Sequence, residues 1–387
     1  MFKKPRYIFR YNKNPKSLIT SFQCLTTAAL PTERIDSFRC VINNPLEQNE
    51  GHIGQFYRVP EDVVSKLFSQ GGLPKSFRIQ TKTFAETCLM IRKPSIDIIN
   101  CIKNLDFSKP VPRFVLYGQK GVGKSLSLAH IVHYGYEAGF LLVHIPWLGE
   151  WMRRPKDSSP SETKEGYTNI NLDIASWLVH FKNQNSLLLE KANLKTTQTY
   201  KWTKREETVA NSNLMDLVDH GINRIKFASD CVLALLNEIK QLSKSGKCKT
   251  LVAIDGFNAF FYPETRIRTE KKEIVHPHNV SVTEGFLSLT RFDWKNAVAV
   301  LIVDELAIAE KDQTSYFPRY LLGKDGFEHL DPFIPVLVNG YSNKEFLSCM
   351  NYYRERRWVQ PLPGLDDELS VISSSNPYKL MQLCAPL

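Results

Sequence analysis

Five short apolar runs punctuate the chain after its first hundred residues: RFVLY at 113–117, FLLVHI at 140–145, TLVAI at 250–254, AVAVLIV at 297–303 and FIPVLV at 333–338. Each is too short for a buried helix and too continuous for a strand with one face in water. This predicts buried strands of a parallel sheet. Between the runs, apolar positions recur at helical spacing. INRIKFASDCVLALLNEIKQLSKSG carries them at 222, 225, 232, 236 and 239 and stops at Gly246, which predicts one amphipathic helix with a glycine terminator. Strands alternating with helices imply a doubly wound α/β sheet.

The spacing of the runs divides the chain. About a hundred residues separate the second run from the third, too many for one crossover, so a helical insertion is expected at about 147–249. Its polar start, WMRRPKDSSPSETKEGYT, reads as a surface loop. Residues 33–110 form an N-terminal extension ending in a helical segment, IRKPSIDIINCIKNL, with Ile96, Ile98, Ile99 and Ile102 on its apolar positions. Residues 111–340 hold the five runs. In 341–387, NKEFLSCMNYYRERRW and NPYKLMQLCA predict the helices of a small C-terminal lid.

Composition changes this picture at one end. The formal charge is +10, but residues 1–32 carry Lys3, Lys4, Arg6, Arg10, Lys13 and Lys16 with no acid, leaving +4 for everything else. A basic, acid-free, Ser/Thr-containing start of this kind predicts a mitochondrial transit peptide over 1–32. The longest aliphatic run is seven residues, far below the roughly 20 that cross a bilayer, so no membrane span is expected. The eight cysteines show no C-x-x-C pair and no Cys/His cluster at zinc spacing, which points to buried thiols in a reducing compartment.

The candidate chemistry lies in YGQKGVGKSLSLAH, 117–130. Gly118, Gly123, Lys124 and Ser125 satisfy G-x-x-x-x-G-K-[ST], set between a predicted strand and a predicted helix, where the mechanism of a phosphate loop requires it. Backbone N–H groups of Gly121, Val122, Gly123 and Lys124 are expected to point at phosphate oxygens, and the helix N-terminus adds positive charge. Lys124 would reach the β and γ phosphates, and Ser125 would place its hydroxyl on Mg²⁺. The nucleotide-binding set is therefore Gly118, Gln119, Lys120, Gly121, Val122, Gly123, Lys124, Ser125 and Leu126. The fold class that follows is a P-loop NTPase-type parallel sheet, AAA/STAND-like, in 111–340.

A magnesium-side acid should end a neighbouring strand. Asp255 follows the third run; Asp304 and Glu305 follow the fourth. Strand order along the chain favours Asp255, so the metal pair is Ser125 with Asp255, and Asp304 and Glu305 read as a solvated strand end or helix cap. Gly256 stands where a hydrolysing ATPase of this kind carries a glutamate base, which predicts little or no turnover and no catalytic residue. No N-K-x-D guanine reader follows a strand.

Segments beyond the loop resemble a known family. TFAETCLMIRKP at 83–94, YGQKGVGKSLSL, TLVAIDGFNAF, LLGKDGFEHLDPFIPVLV and SSSNP are similar to the death-associated protein family, the phosphate-loop GTP-binding proteins of the mitochondrial ribosome's small subunit. The resemblance implies a guanine nucleotide, GTP or GDP, with Mg²⁺, and a place in the mitochondrial matrix. It also implies small-subunit rRNA, other small-subunit proteins and the large subunit as partners, and a pro-apoptotic role. Arg92 and Lys93 are placed near the nucleotide by analogy. Asp304 and Glu305 depart from the uncharged polar residues the family tends to carry there. The basic groups Arg153, Arg154, Lys156, Lys201, Lys204, Arg205, Arg266, Arg268, Lys271 and Lys272 are available to RNA phosphate, and NYYRERRW adds aromatics able to stack on bases, although its Tyr and Trp read more readily as core-facing. The alternative is a free AAA/STAND-like signalling NTPase that regulates apoptosis by nucleotide-dependent oligomerisation.

Overall fold

The computed structural model describes residues 37–308 and 315–385. The expected transit segment lies outside them. All five apolar runs are strands: β1 (Arg113–Tyr117), β2 (Leu141–Ile145), β3 (Thr250–Ile254), β4 (Ala297–Ile302) and β5 (Ile334–Leu337). They form one parallel sheet in the order β5-β1-β4-β3-β2. Side chains alternate between two apolar clusters. Phe114, Leu116, Leu142, Leu251, Ala253, Val298 and Val300 face one side; Val115, Val143, Val252, Ile254, Ala299 and Leu301 face the other. Burial on both faces is why these strands read as unbroken apolar runs.

The expectation fails at β5, whose Ile334 and Leu337 are 48% and 39% exposed. It is the edge strand, so only β1 pairs with it and its outward side chains have less to pack on.

On one face lie α1 (Glu61–Phe68), α2 (Lys75–Phe84), α3 (Lys93–Lys103) and α4 (Lys124–Glu137). Ile96, Ile98, Ile99 and Ile102 of α3 are buried as their spacing predicted. The other face carries α5 (Asn171–Ala192), α6 (Leu214–Asn223) and α7 (Ala228–Lys244). The single helix expected over 222–246 is thus two. Arg224 leaves the helical region at φ −116, ψ 72, and a 3₁₀ turn (Ile225–Phe227) intervenes. Asn171 stabilises the break: its Nδ2 donates to the Lys226 carbonyl at 3.1 Å, and its Oδ1 accepts from Ser229 Oγ at 2.7 Å. A tertiary contact satisfies the freed backbone groups there and overrides the helical periodicity. At the other end α7 stops where expected, with Gly246 at φ +77.

The helix α8 (Pro318–Leu330) leads into β5, and after β5 come α9 (Asn343–Glu355), α10 (Leu365–Ser373) and α11 (Pro377–Cys384). The helix α10 is one that sequence periodicity missed. Phe346, Cys349, Met350, Tyr352, Tyr353 and Leu380 share a third apolar cluster with Phe56, Phe84 and Cys88 of the N-terminal extension. The two ends of the described chain therefore pack on each other. Of the eight cysteines, the seven among the described residues are free thiols. No described helix is long and apolar enough to cross a membrane.

Candidate functional site

The parallel sheet brings the C-terminal ends of β1, β4 and β3 together, the place where open α/β sheets hold ligands. From β1 the chain turns through Gly118–Gly123 and enters α4 at Lys124. The carbonyl oxygens from Gly118 to Val122 all accept hydrogen bonds, two of them from Lys124 itself. Gly118 and Gln119 accept from Lys124 Nζ at 2.8 and 2.9 Å, and Lys120 accepts from Asn376 Nδ2 at 2.9 Å. Gly121 accepts from the Tyr378 amide at 3.1 Å, and Val122 from Arg92 Nη1 at 2.6 Å. By contrast, no amide from Gln119 to Gly123 donates to a described residue. A row of free N–H donors at a helix N-terminus is an anion cradle. Gly121 is required here because its φ is +84 and a Cβ would come within 2.7 Å of the Tyr378 Cβ.

On the acidic side, Ser125 Oγ donates to Asp255 Oδ2 at 2.5 Å. The other oxygen of Asp255 is buried with no hydrogen-bond partner. Burial raises its carboxyl to about 7; the Ser125 hydrogen bond and the Lys124 charge oppose that rise, and the Asp304 charge adds to it. A hydroxyl and an orphaned carboxylate oxygen side by side are the donor set a hard divalent cation takes, so Ser125 and Asp255 could hold Mg²⁺. Leu126 follows in the first turn of α4, half-buried against the cluster that contains Phe77.

Asp304 is not the solvated strand end expected. Its Oδ2 lies 2.9 Å from Lys124 Nζ, with the two side chains 13% and 3% exposed. It also caps the following turn by accepting from the Leu306 amide at 2.8 Å, so the capping half of the expectation holds. Asn258 ties β3 to β4 at this point: its Nδ2 donates to the Asp304 carbonyl and its Oδ1 accepts from the Asp304 amide, both at 3.0 Å. The order β1-β4-β3 explains why both acids reach the loop, Asp304 on the adjacent strand and Asp255 on the next.

Gly256 has φ +76, and a Cβ there would meet the Trp147 ring at 3.1 Å. A glutamate is excluded twice, by the left-handed backbone and by the indole. Glu305, half-exposed, has no resolved contact with the loop.

The loop opens into a cavity of about 800 Å³. Its walls come from α2, the segment after β2 with Trp147 and Glu150, α5, and the lid residues Tyr353, Tyr378 and Met381. Arg92 braces the site. Its Nε pairs with Glu345 Oε1 at 3.0 Å in a buried ion pair, and its Nη2 donates to the Asn339 and Gly340 carbonyls at 3.0 Å. Arg92 thus holds the loop from outside, while Lys93 pairs with Asp97 at the surface. Sequence reading missed Asn376, Tyr378, Glu345 and Trp147. Asn376 before Pro377 was findable as a helix cap, and it does cap α11 by accepting from the Tyr378 and Lys379 amides.

The basic segments behave unequally. Arg153 donates to the Leu306 carbonyl at 2.5 Å, and Lys156 donates to Ser176 Oγ and approaches Asp173. Lys201, Lys204, Arg205, Arg266, Lys271 and Lys272 are exposed. In NYYRERRW, Tyr352 and Tyr353 are buried and Trp358 packs on Phe84 and Tyr353 at 4.9 and 4.8 Å. Those aromatics fill the core, as their reading anticipated.

Comparison with known proteins adds three relatives and a family. Residues 89–383 match the family model described as mitochondrial ribosomal death-associated protein 3. The chain is 37% identical over 363 residues to the small ribosomal subunit protein mS29 of Bos taurus, covering 92% of this chain and 90% of that one. It is 35% identical over 372 residues to mS29 of Mus musculus, covering 95% and 94%. With mS29 of Neurospora crassa the identity is 23% over 261 residues, covering 67% and 52%.

Proposed function

The chain belongs to the mitochondrial ribosomal death-associated protein 3 family, and from that premise we propose that it is a structural component of the small subunit of the mitochondrial ribosome. In this reading it works in the matrix and keeps a guanine nucleotide with Mg²⁺ in its phosphate loop, with little or no hydrolysis. The observation that carries it is the loop itself. Its carbonyls from Gly118 to Val122 are occupied by protein donors, its amides from Gln119 to Gly123 are free, and Asp255 holds an unpartnered oxygen beside Ser125.

Mg²⁺ held by Ser125 and Asp255 would supply positive charge that offsets the charge of the phosphates. The chain's own groups do the rest. Lys124 turns from the loop carbonyls to phosphate and keeps its pair with Asp304, the amides of Gly121–Lys124 orient the oxygens, and Ser125 and Asp255 hold the metal side. A working hydrolase also needs a base within hydrogen-bond reach of the attacking water. Gly256 offers none, and Asp304 is already paired with Lys124. The nucleotide then acts as a folding ligand, stabilising the protein by about 2.7 kcal/mol at a hundred times its dissociation constant.

Because the loop is held by Arg92 of the extension and by Asn376 and Tyr378 of the lid, occupancy stiffens all three segments together. The exposed Lys201, Lys204, Arg205, Arg266, Lys271 and Lys272 then meet phosphates of small-subunit rRNA. Other small-subunit proteins and the large subunit are the remaining partners. Sucrose-gradient sedimentation of a mitochondrial lysate tests the assignment. The chain should travel with the small subunit. Its absence from that fraction, with the protein in free oligomers whose size follows nucleotide state, would favour a free signalling NTPase acting in apoptosis.

A further inference from the structure

We propose that Asp304 sets how many phosphates the loop keeps, favouring a nucleoside diphosphate over a triphosphate. This rests on the nucleotide reading above and names the form of the ligand that the site retains.

Two buried side-chain cations stand at the loop, and each already has a carboxylate. Lys124 Nζ lies 2.9 Å from Asp304 Oδ2, and Arg92 Nε lies 3.0 Å from Glu345 Oε1. The other lysines and arginine that line the cavity, Lys75, Arg78, Lys120 and Lys156, are exposed, so water and salt screen their charge. Among the described residues that line the cavity, no buried lysine or arginine is left without an acid.

Asp304 is held in its pair. Its Oδ1 accepts from the Leu306 amide at 2.8 Å while its Oδ2 faces Lys124. Asn258 clamps its backbone on both sides, donating to the carbonyl and accepting from the amide at 3.0 Å. The carboxylate is therefore a fixed negative charge at the end of β4, the strand next to β1.

The terminal phosphates of a nucleotide meet this charge differently. In a phosphate loop the backbone amides cradle the α and β phosphates, and the lysine is the side-chain cation that reaches the γ phosphate. The free amides from Gln119 to Gly123 suit a diphosphate as they stand. A γ phosphate brings a further negative charge, and the cation that would meet it, Lys124, is shared with Asp304. Two acceptors on one ammonium stand about 5 Å apart. Like unit charges at that range weaken binding by about fourfold at the dielectric of water and by about three hundredfold at the effective dielectric near a protein surface. The Asp304 side chain is largely shielded from water, which sets the expected preference for the diphosphate at about tenfold or more.

Calorimetric titration of the full chain with Mg²⁺ and either GDP or the β,γ-imido analogue of GTP tests this, with ADP and the corresponding ATP analogue run beside them so that base choice does not enter the ratio. Wild-type protein should bind the diphosphate at least about tenfold more tightly than the triphosphate analogue. Asp304→Asn should bring the two within about threefold of each other, chiefly by tightening the triphosphate. Glu305→Gln, which removes the neighbouring acid, should keep the wild-type ratio. Thermal melts without ligand confirm that each variant folds, and Asp304→Ser replaces Asp304→Asn if the latter does not. A wild-type ratio near one, a ratio unmoved in Asp304→Asn, or a ratio moved as far by Glu305→Gln overturns this inference and leaves the proposed function standing. A wild-type chain that binds none of these nucleotides overturns both.

Discussion

Replacing Lys124 by methionine should destabilise the protein even with no nucleotide present. A phosphate-facing lysine, considered from the motif alone, matters only when phosphate is bound. In the structure its ammonium is 3% exposed and spends its three donors on the Gly118 and Gln119 carbonyls and on Asp304. Removing it leaves a carboxylate, itself 13% exposed, without its counter-charge. Breaking a buried ion pair in this way costs about 3–5 kcal/mol, and the residual exposure of Asp304 favours the lower end. At about 2–4 °C per kcal/mol, the midpoint should fall by about 6–12 °C. The assay is urea or thermal unfolding of nucleotide-free Lys124→Met, Asp304→Asn and the double variant. The double variant should be more stable than the sum of the single losses predicts, by about 2 kcal/mol, since neither change then strands a charge. A Lys124→Met protein within about 0.5 kcal/mol of wild type, or strictly additive losses, would refute the ion pair as a part of the unliganded fold.

Asp255→Asn should abolish the Mg²⁺ dependence of nucleotide binding while leaving unliganded stability equal or slightly higher, because a buried carboxylate loses its charge; titrating nucleotide with and without Mg²⁺ checks this. Gly256→Ala should cost about 1–3 kcal/mol in unfolding experiments, from the positive φ and the Trp147 contact, and wild-type phosphate release should stay far below the roughly 1–100 per second of a kinase. His130 is pushed down to about 3, and His133 and His180 to about 4, by burial, with the charge of His133 lowering His130 further. A folded value below the unfolded one means that the unfolded chain takes up protons first. The stability these histidines support is therefore whole above pH 6.5 and lost as the pH falls toward 4, by about 2 kcal/mol per histidine at pH 5; denaturant midpoints at pH 7.5 and 5.0 measure it.

Much of this molecule follows from local sequence. Strands buried on both faces must be continuously apolar, which made the four inner strands legible, and the edge strand β5 was legible from its apolar run alone; the turn before α4 stood out because glycine, lysine and serine at that spacing is the pattern a phosphate loop requires. Helices with strong periodicity, such as α3 and α9, were legible for the same reason. What depended on distant residues was not. The break at Arg224 arises because Asn171, more than fifty residues earlier, takes over the hydrogen bonds the helix gives up. The exposure of Ile334 comes from its strand standing at the sheet edge, which no pattern within the strand encodes. Asp255 and Asp304 look alike in sequence, each one residue past an apolar run or nearly so. Only the strand order gives the first to Ser125 and the second to Lys124. The same holds for Arg92 and Asn376, which lie outside the motif in the chain and reach the loop only because the extension and the lid fold onto it. Local sequence determines what each segment can be, since propensity and periodicity act over a few residues. Tertiary structure decides which polar groups find partners, since that depends on contacts between segments hundreds of residues apart.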